Sequence, residues 1–131
     1  MSQPIIDEFG TKWYDQEGRC HREDGPAVEN VNGTYGWYQH GVLHRDGGPA
    51  LVTITGTKYW YQHGEFHRDH GPAIEYANGL KCWYQQGKLH REDGPAVEYA
   101  NGNKEWWFNN NMIVVLSQKE FERYLKLKPF W

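Results

Sequence analysis

A chain of 131 residues, 24% of them charged and with a formal net charge of −3, has room for one domain. That balance marks neither a nucleic-acid binder nor an acidic mimic, and no apolar run reaches the roughly 20 residues of a membrane-spanning helix. Seven Trp and nine Tyr must instead supply much of the buried area that Leu and Ile supply in other domains.

Residues 1–9 precede the repeating part and are expected to form an N-terminal cap segment. From 10 to 112 the chain repeats every 23 residues, with units starting at Gly10, Gly33, Gly56, Gly79 and Gly102. A fixed period of this size marks a repeat protein whose units bury their apolar faces against one another. Asn32-Gly33, Asn78-Gly79 and Asn101-Gly102, with Thr55-Gly56 as a variant, predict type I′ hairpin turns. A second glycine, at Gly18, Gly41, Gly64 and Gly87, predicts another tight reversal. Each Gly-Pro-Ala step then restarts an extended segment, because proline pushes the residue before it out of the helical region. The fold expected is all-β: a single-domain antiparallel meander or solenoid of about 4.5 units, with two or three short strands in each.

Alternation sorts the side chains. Trp37, Trp60, Trp83 and Trp106 share one offset and are expected on one face. Tyr38, Tyr61, Tyr84 and Trp107 take the next offset and face the other way. The second row is expected to stay open, rimmed by His40, His63 and Gln86, and is the candidate binding surface. Residues 113–131 form the C-terminal cap, where Ile113-Val114 replaces the His-Arg pair of earlier units. Ser117-Gln118-Lys119-Glu120 fits a capping box. Phe121, Tyr124 and Leu125 follow at helical spacing, so an amphipathic helix is predicted over about 117–127, ended by Pro129.

The block His-Arg-acid-x-Gly-Pro-Ala begins at His21, His44, His67 and His90. Met once it would look catalytic; met four times it reads as architecture. His21, Arg22, His44, Arg45, Asp46, His67, Arg68, Asp69, His90 and Arg91 are therefore expected to form a structural ladder, each Arg pairing with the acid of its own or the neighbouring unit. His40/His44 and His63/His67 have metal-ligand spacing, yet lack the Cys or carboxylate partners that complete a zinc site. Cys20 fills a position otherwise held by Leu43, Phe66 and Leu89, and reads as a small core residue. Cys20 and Cys82 sit at different offsets, which argues against a disulfide and, with no signal-peptide pattern, for a cytoplasmic setting. The arginine row among aromatics suits single strands, but each Arg is followed by an acid, so no nucleic acid is expected. No catalytic, metal or cofactor site emerges.

The pattern Gly-x3-Trp-x3-Gly-x2-His at a 23-residue period resembles the membrane occupation and recognition nexus (MORN) repeat, a β-hairpin unit of the same length. The resemblance covers about residues 10–112, and departs where that repeat places Gly after His and this chain has Arg22, Arg45, Arg68 and Arg91. The form Leu-His-Arg-x-Asp-Gly-Pro-Ala is closer still to repeats of uncharacterised bacteriophage and large-DNA-virus proteins. The resemblance implies a small viral protein in a host cytoplasm, with scaffolding or lipid-headgroup roles known for MORN proteins and no catalytic residues. The function expected is a non-catalytic protein-interaction module; the viral resemblance implies a host partner, such as a defence protein inhibited by occlusion. Alternatives are a binder or sponge for nucleotides or phosphorylated head groups, and a structural component self-assembling through a sheet edge or the C-terminal helix.

Overall fold

A computed structural model describes residues 3–127. The chain opens with a hairpin of β1 (Ile5–Asp7) and β2 (Gly10–Lys12), so the expected cap segment is itself the first strand of the sheet. The next stretch holds β3 (Val28–Asn30), β4 (Tyr35–Gly36), β5 (Tyr38–Gln39) and β6 (Val42–Leu43). The pattern recurs as β7 (Leu51–Val52), β8 (Lys58–Tyr59), β9 (Tyr61–Gln62) and β10 (Glu65–Phe66). It recurs again as β11 (Ile74–Glu75), β12 (Lys81–Cys82), β13 (Tyr84–Gln85) and β14 (Lys88–Leu89). The last turn of the pattern is β15 (Val97–Glu98), a longer β16 (Lys104–Phe108) and β17 (Asn111–Ile113), followed by α1 (Gln118–Lys126).

Eleven of these strands form one antiparallel sheet in the order β1-β2-β3-β4-β7-β8-β11-β12-β15-β16-β17. The remaining six make three small hairpins, β5–β6, β9–β10 and β13–β14. The architecture is thus an open all-β meander with one short helix. Each full unit contributes four strand pieces rather than two or three, because a tryptophan switches partners in mid-strand. The Trp37 amide donates to the Ala50 carbonyl (2.6 Å), whereas its own carbonyl accepts from His44 (3.0 Å). One end of the strand therefore pairs within the long sheet and the other within a small hairpin.

The two reversals use different turns, and the Asn-Gly assignment is corrected. Gly33 N–H donates to the Asn30 carbonyl and Asn30 N–H to the Thr34 carbonyl, leaving a three-residue loop. Of the non-glycine residues with positive φ, none lies in that loop, while Gly33 has φ 97°. This is a type I turn closed by a left-handed glycine, with the Asn32 side chain accepting from Thr34 N–H (2.9 Å). The geometry with positive φ at both centres occurs instead at His40-Gly41 (47° and 86°), and likewise at His63-Gly64 and Gln86-Gly87.

The small hairpins lie over one face of the sheet, and the core sits between them. Ile74, Cys82 and Val97 are buried there against Tyr59, Phe66, Tyr76, Tyr84, Leu89 and Trp107. Ala27, Ala50, Ala73 and Ala96 are fully buried at the Gly-Pro-Ala steps. Both cysteines are free thiols. Burial pushes the Cys82 thiol up to about 11. At pH 8 roughly one Cys82 in a thousand is then thiolate, the reactive form. Cys82 is expected to react with a maleimide only as the protein unfolds, whereas half-buried Cys20 reacts in the native state. Mass-spectrometric counting of labels against urea checks this, and native labelling of Cys82 at the Cys20 rate would contradict it.

At the C-terminal end Trp106, Phe108, Ile113 and Phe121 form a second buried cluster, against which Val115, Tyr124 and Leu125 pack. Ser117 caps α1, its Oγ accepting from Glu120 N–H (3.2 Å). The return bond of the capping box comes from Leu116 N–H to Glu120 Oε2 (2.9 Å), one residue earlier than the usual pairing. Pro129 lies outside the described residues. Among those described, no helix is long and apolar enough to cross a membrane.

Candidate functional site

The repeated block builds a row of equivalent seats along one side of the molecule. Each guanidinium sits over an indole ring: Arg22 over Trp13 (4.4 Å from carbon to ring centre), Arg45 over Trp37 (4.0 Å), Arg68 over Trp60 (3.9 Å) and Arg91 over Trp83 (4.0 Å). Nη1 donates to the carbonyl of the proline four residues on, at 3.1–3.2 Å in every unit. The other flank of the arginine is backbone. A Cβ at Gly71 would stand 2.8 Å from the Arg68 guanidinium carbon, and one at Gly94 2.5 Å from that of Arg91. The glycine of Gly-Pro-Ala is there to let the arginine in.

The histidine of the block ties one unit to the next. Nδ1 of His21, His44, His67 and His90 accepts from the backbone N–H of His40, His63, Gln86 and Asn109, at 3.0–3.1 Å. Nε2 then faces the acid two residues on: Glu23 (2.8 Å), Asp46 (3.3 Å), Asp69 (2.8 Å) and Glu92 (3.4 Å). This bonding selects the tautomer protonated at Nε2. The sequence pairing of each Arg with that acid is therefore corrected: the acid serves the histidine. The arginines reach other carboxylates. Arg68 bonds Glu75 at 2.9 Å, and Arg91 bonds Glu98 and Asp93 at 2.9 and 2.8 Å. Arg22 contacts Asp24 at 3.3 Å and Glu29 at 3.9 Å. Glutamines complete the joint, with Gln39, Gln62 and Gln85 donating to the carbonyls of Arg22, Arg45 and Arg68.

Trp13 is the site residue that offset counting missed, because Tyr14 stands at the register position of Trp37. Trp13 nevertheless makes the same bonds, donating to Ala27 and accepting from His21. The first reversal is one residue longer, with Gly18 N–H bonded to Asp15 and Asp15 N–H to Arg19, which shifts the tryptophan back by one. The nearby His40 ring, with amide donors from Arg19 and Glu17, holds the Asp15 carboxyl well below the usual carboxylate range.

The expected open tyrosine row is half-buried. Tyr61 and Tyr84 both pack on Phe66, with ring centres 4.6 and 5.0 Å away, and burial pushes the hydroxyls of Tyr38, Tyr61 and Tyr84 up. Trp107 packs against the same core and donates from Nε1 to Glu105. His40 stacks on His21 and bonds Asp15. His63 and Gln86 stand apart from the tyrosines and line a groove on the tryptophan–arginine side. That groove, of about 700 Å³, runs over Trp60 between Arg45 and Arg68 and includes Gln62, Glu65, His67 and His70. A second groove of about 620 Å³ follows over Trp83. Among the described residues no group of three or more His, Cys, Asp or Glu could hold a metal ion.

These features define an all-β repeat sheet carrying a row of tryptophan–arginine seats. No protein-family model matches the chain, and no curated protein matches it.

Proposed function

We propose that the protein is a non-catalytic protein-binding module whose contact surface is the groove over Trp60. The observation that carries this reading is the coincidence of the larger groove with residues suited to recognition: an indole floor, two guanidinium groups and three imidazoles. His63 and Gln86 belong to this surface. The tyrosine row, which sequence reading favoured, supports it from the core side. A volume of about 700 Å³ falls in the range of ligand sites, and the grooves recur along the row, so an extended segment suits them better than a compact molecule. The likeness of the Leu-His-Arg-x-Asp-Gly-Pro-Ala form to viral repeats adds that the partner is a host protein, bound in the host cytoplasm.

Gly47 allows a clean test. It has an ordinary backbone conformation, and a Cβ there meets nothing within 4 Å. Gly47→Trp fills the groove without strain. It is expected to abolish capture of a stoichiometric partner from host lysate while leaving the melting midpoint within about 2 °C. Undiminished capture by the variant would refute the surface.

A further inference from the structure

We infer that the groove over Trp60 takes an acidic segment of the partner, whose carboxylates occupy seats that the outer units fill with their own side chains. This deepens the protein-binding reading and rests on it. The repeat supplies its own comparison. In the outer units the guanidinium edge is capped locally: Arg22 Nε donates to Asp24 at 3.3 Å and Arg91 Nε to Asp93 at 2.8 Å. The two central units lack that acid, with Gly47 and His70 in its place. Among the described residues no carboxylate caps Nε of Arg45 or Arg68.

Arg45 is more open still. Glu29, Glu75 and Glu98 approach the other three arginines from the following strand, but the equivalent residue here is Val52. Arg45 therefore has Trp37 and the Pro49 carbonyl as partners, and among the described residues it has no ion pair. Backbone geometry does not force this vacancy, since Gly47 has neither positive φ nor a crowded Cβ. His70 is exposed, and among the described residues it makes no hydrogen bond or ion pair.

Of the three acids that line the groove, Asp46 and Asp69 face His44 and His67, while Glu65 is exposed beside Gly87. The Nε edges of Arg45 and Arg68 thus line one groove without a carboxylate, Arg68 keeping Glu75 on Nη1. What the fold places on the equivalent edges of Arg22 and Arg91 is a carboxylate. Guanidinium groups bind carboxylates through charge-assisted, often bidentate hydrogen bonds. Trp60, which also lines the groove, adds apolar contact for the stems of Glu or Asp side chains.

The test uses the full chain and a fluorescein-labelled twelve-residue peptide of alternating Glu and Ala, read by anisotropy at low salt. The wild type is expected to bind it. The Gly47→Asp/His70→Asp variant, which restores the local caps, is expected to bind at least tenfold more weakly with an unchanged or raised melting midpoint. Equal affinity of the two proteins overturns the proposal, as does failure of the wild type to bind. Tighter binding of a single-stranded oligonucleotide of equal charge also overturns it, in favour of a phosphate site. Partner capture lost in Gly47→Trp but retained in Gly47→Asp/His70→Asp leaves the protein-binding surface standing and removes the acidic segment alone.

Discussion

Truncating Phe121 to Ala is expected to lower the unfolding free energy by about 3–5 kcal/mol. Phe121 is fully buried, and it joins α1 to the last hairpin through Trp106, Phe108 and Ile113. The other buried members of this cluster belong to one hairpin, β16–β17, whose pairing holds them in place, so most of the cavity should persist. Against a total stability of about 5–15 kcal/mol, such a loss threatens the C-terminal end outright. Trp106 should report it locally, since its Nε1 donates to Gln118 of α1 at 2.7 Å. Urea titration followed by tryptophan fluorescence and far-ultraviolet circular dichroism measures both effects. A loss below about 1 kcal/mol would mean that α1 is not part of the cooperative unit.

The second large effect concerns the arginine seats, and its diagnostic is an ordering. Arg91→Ala removes a guanidinium–indole contact of about 0.5–2 kcal/mol and a hydrogen bond of about 1 kcal/mol to the Pro95 carbonyl. It also removes ion pairs to Glu98 and Asp93 that are partly solvent-screened, so they add at most about 1 kcal/mol. The sum is about 1.5–4 kcal/mol. Arg45→Ala removes the first two contacts and no ion pair, so it should cost less, by up to about 1 kcal/mol. Arg91→Lys should recover little, because an ammonium cannot sit over the indole while also reaching the carbonyl and the acids. Thermal or urea unfolding of the three variants decides. Equal losses for Arg45→Ala and Arg91→Ala would show that the carboxylates contribute nothing to the fold.

The tryptophan–arginine contact was out of reach of spacing alone. Arg68 and Trp60 stand at different offsets, and neither alternation nor the 23-residue period says which face the loop carrying Arg68 covers. The same limit misassigned the acids. Asp69 follows Arg68 directly, and adjacency suggests a pair, but successive side chains of an extended segment point to opposite sides. Asp69 therefore meets His67, two residues away, while Arg68 finds Glu75 on the next strand. The tyrosine row failed for a related reason: which side of a sheet is covered depends on how the small hairpins fold back. Tyr61 and Tyr84 belong to those hairpins and pack inward on Phe66.

Local chemistry was legible wherever one residue type alone satisfies the backbone. Gly41, Gly64 and Gly87 mark the reversals because their positive φ values exclude most side chains, and Ser117 marks the start of α1 because its hydroxyl accepts the orphan amide of Glu120. The 23-residue period by itself determined the all-β meander, the positions of its turns and the point where the repeat stops. Only the tertiary structure decided that Trp13 replaces Tyr14 in the row, that the arginines lie between indole and glycine, and that Arg45 and Arg68 keep uncapped edges in one groove. Periodicity fixes what is equivalent along the chain. The packing of loops across units, which no period encodes, fixes what touches.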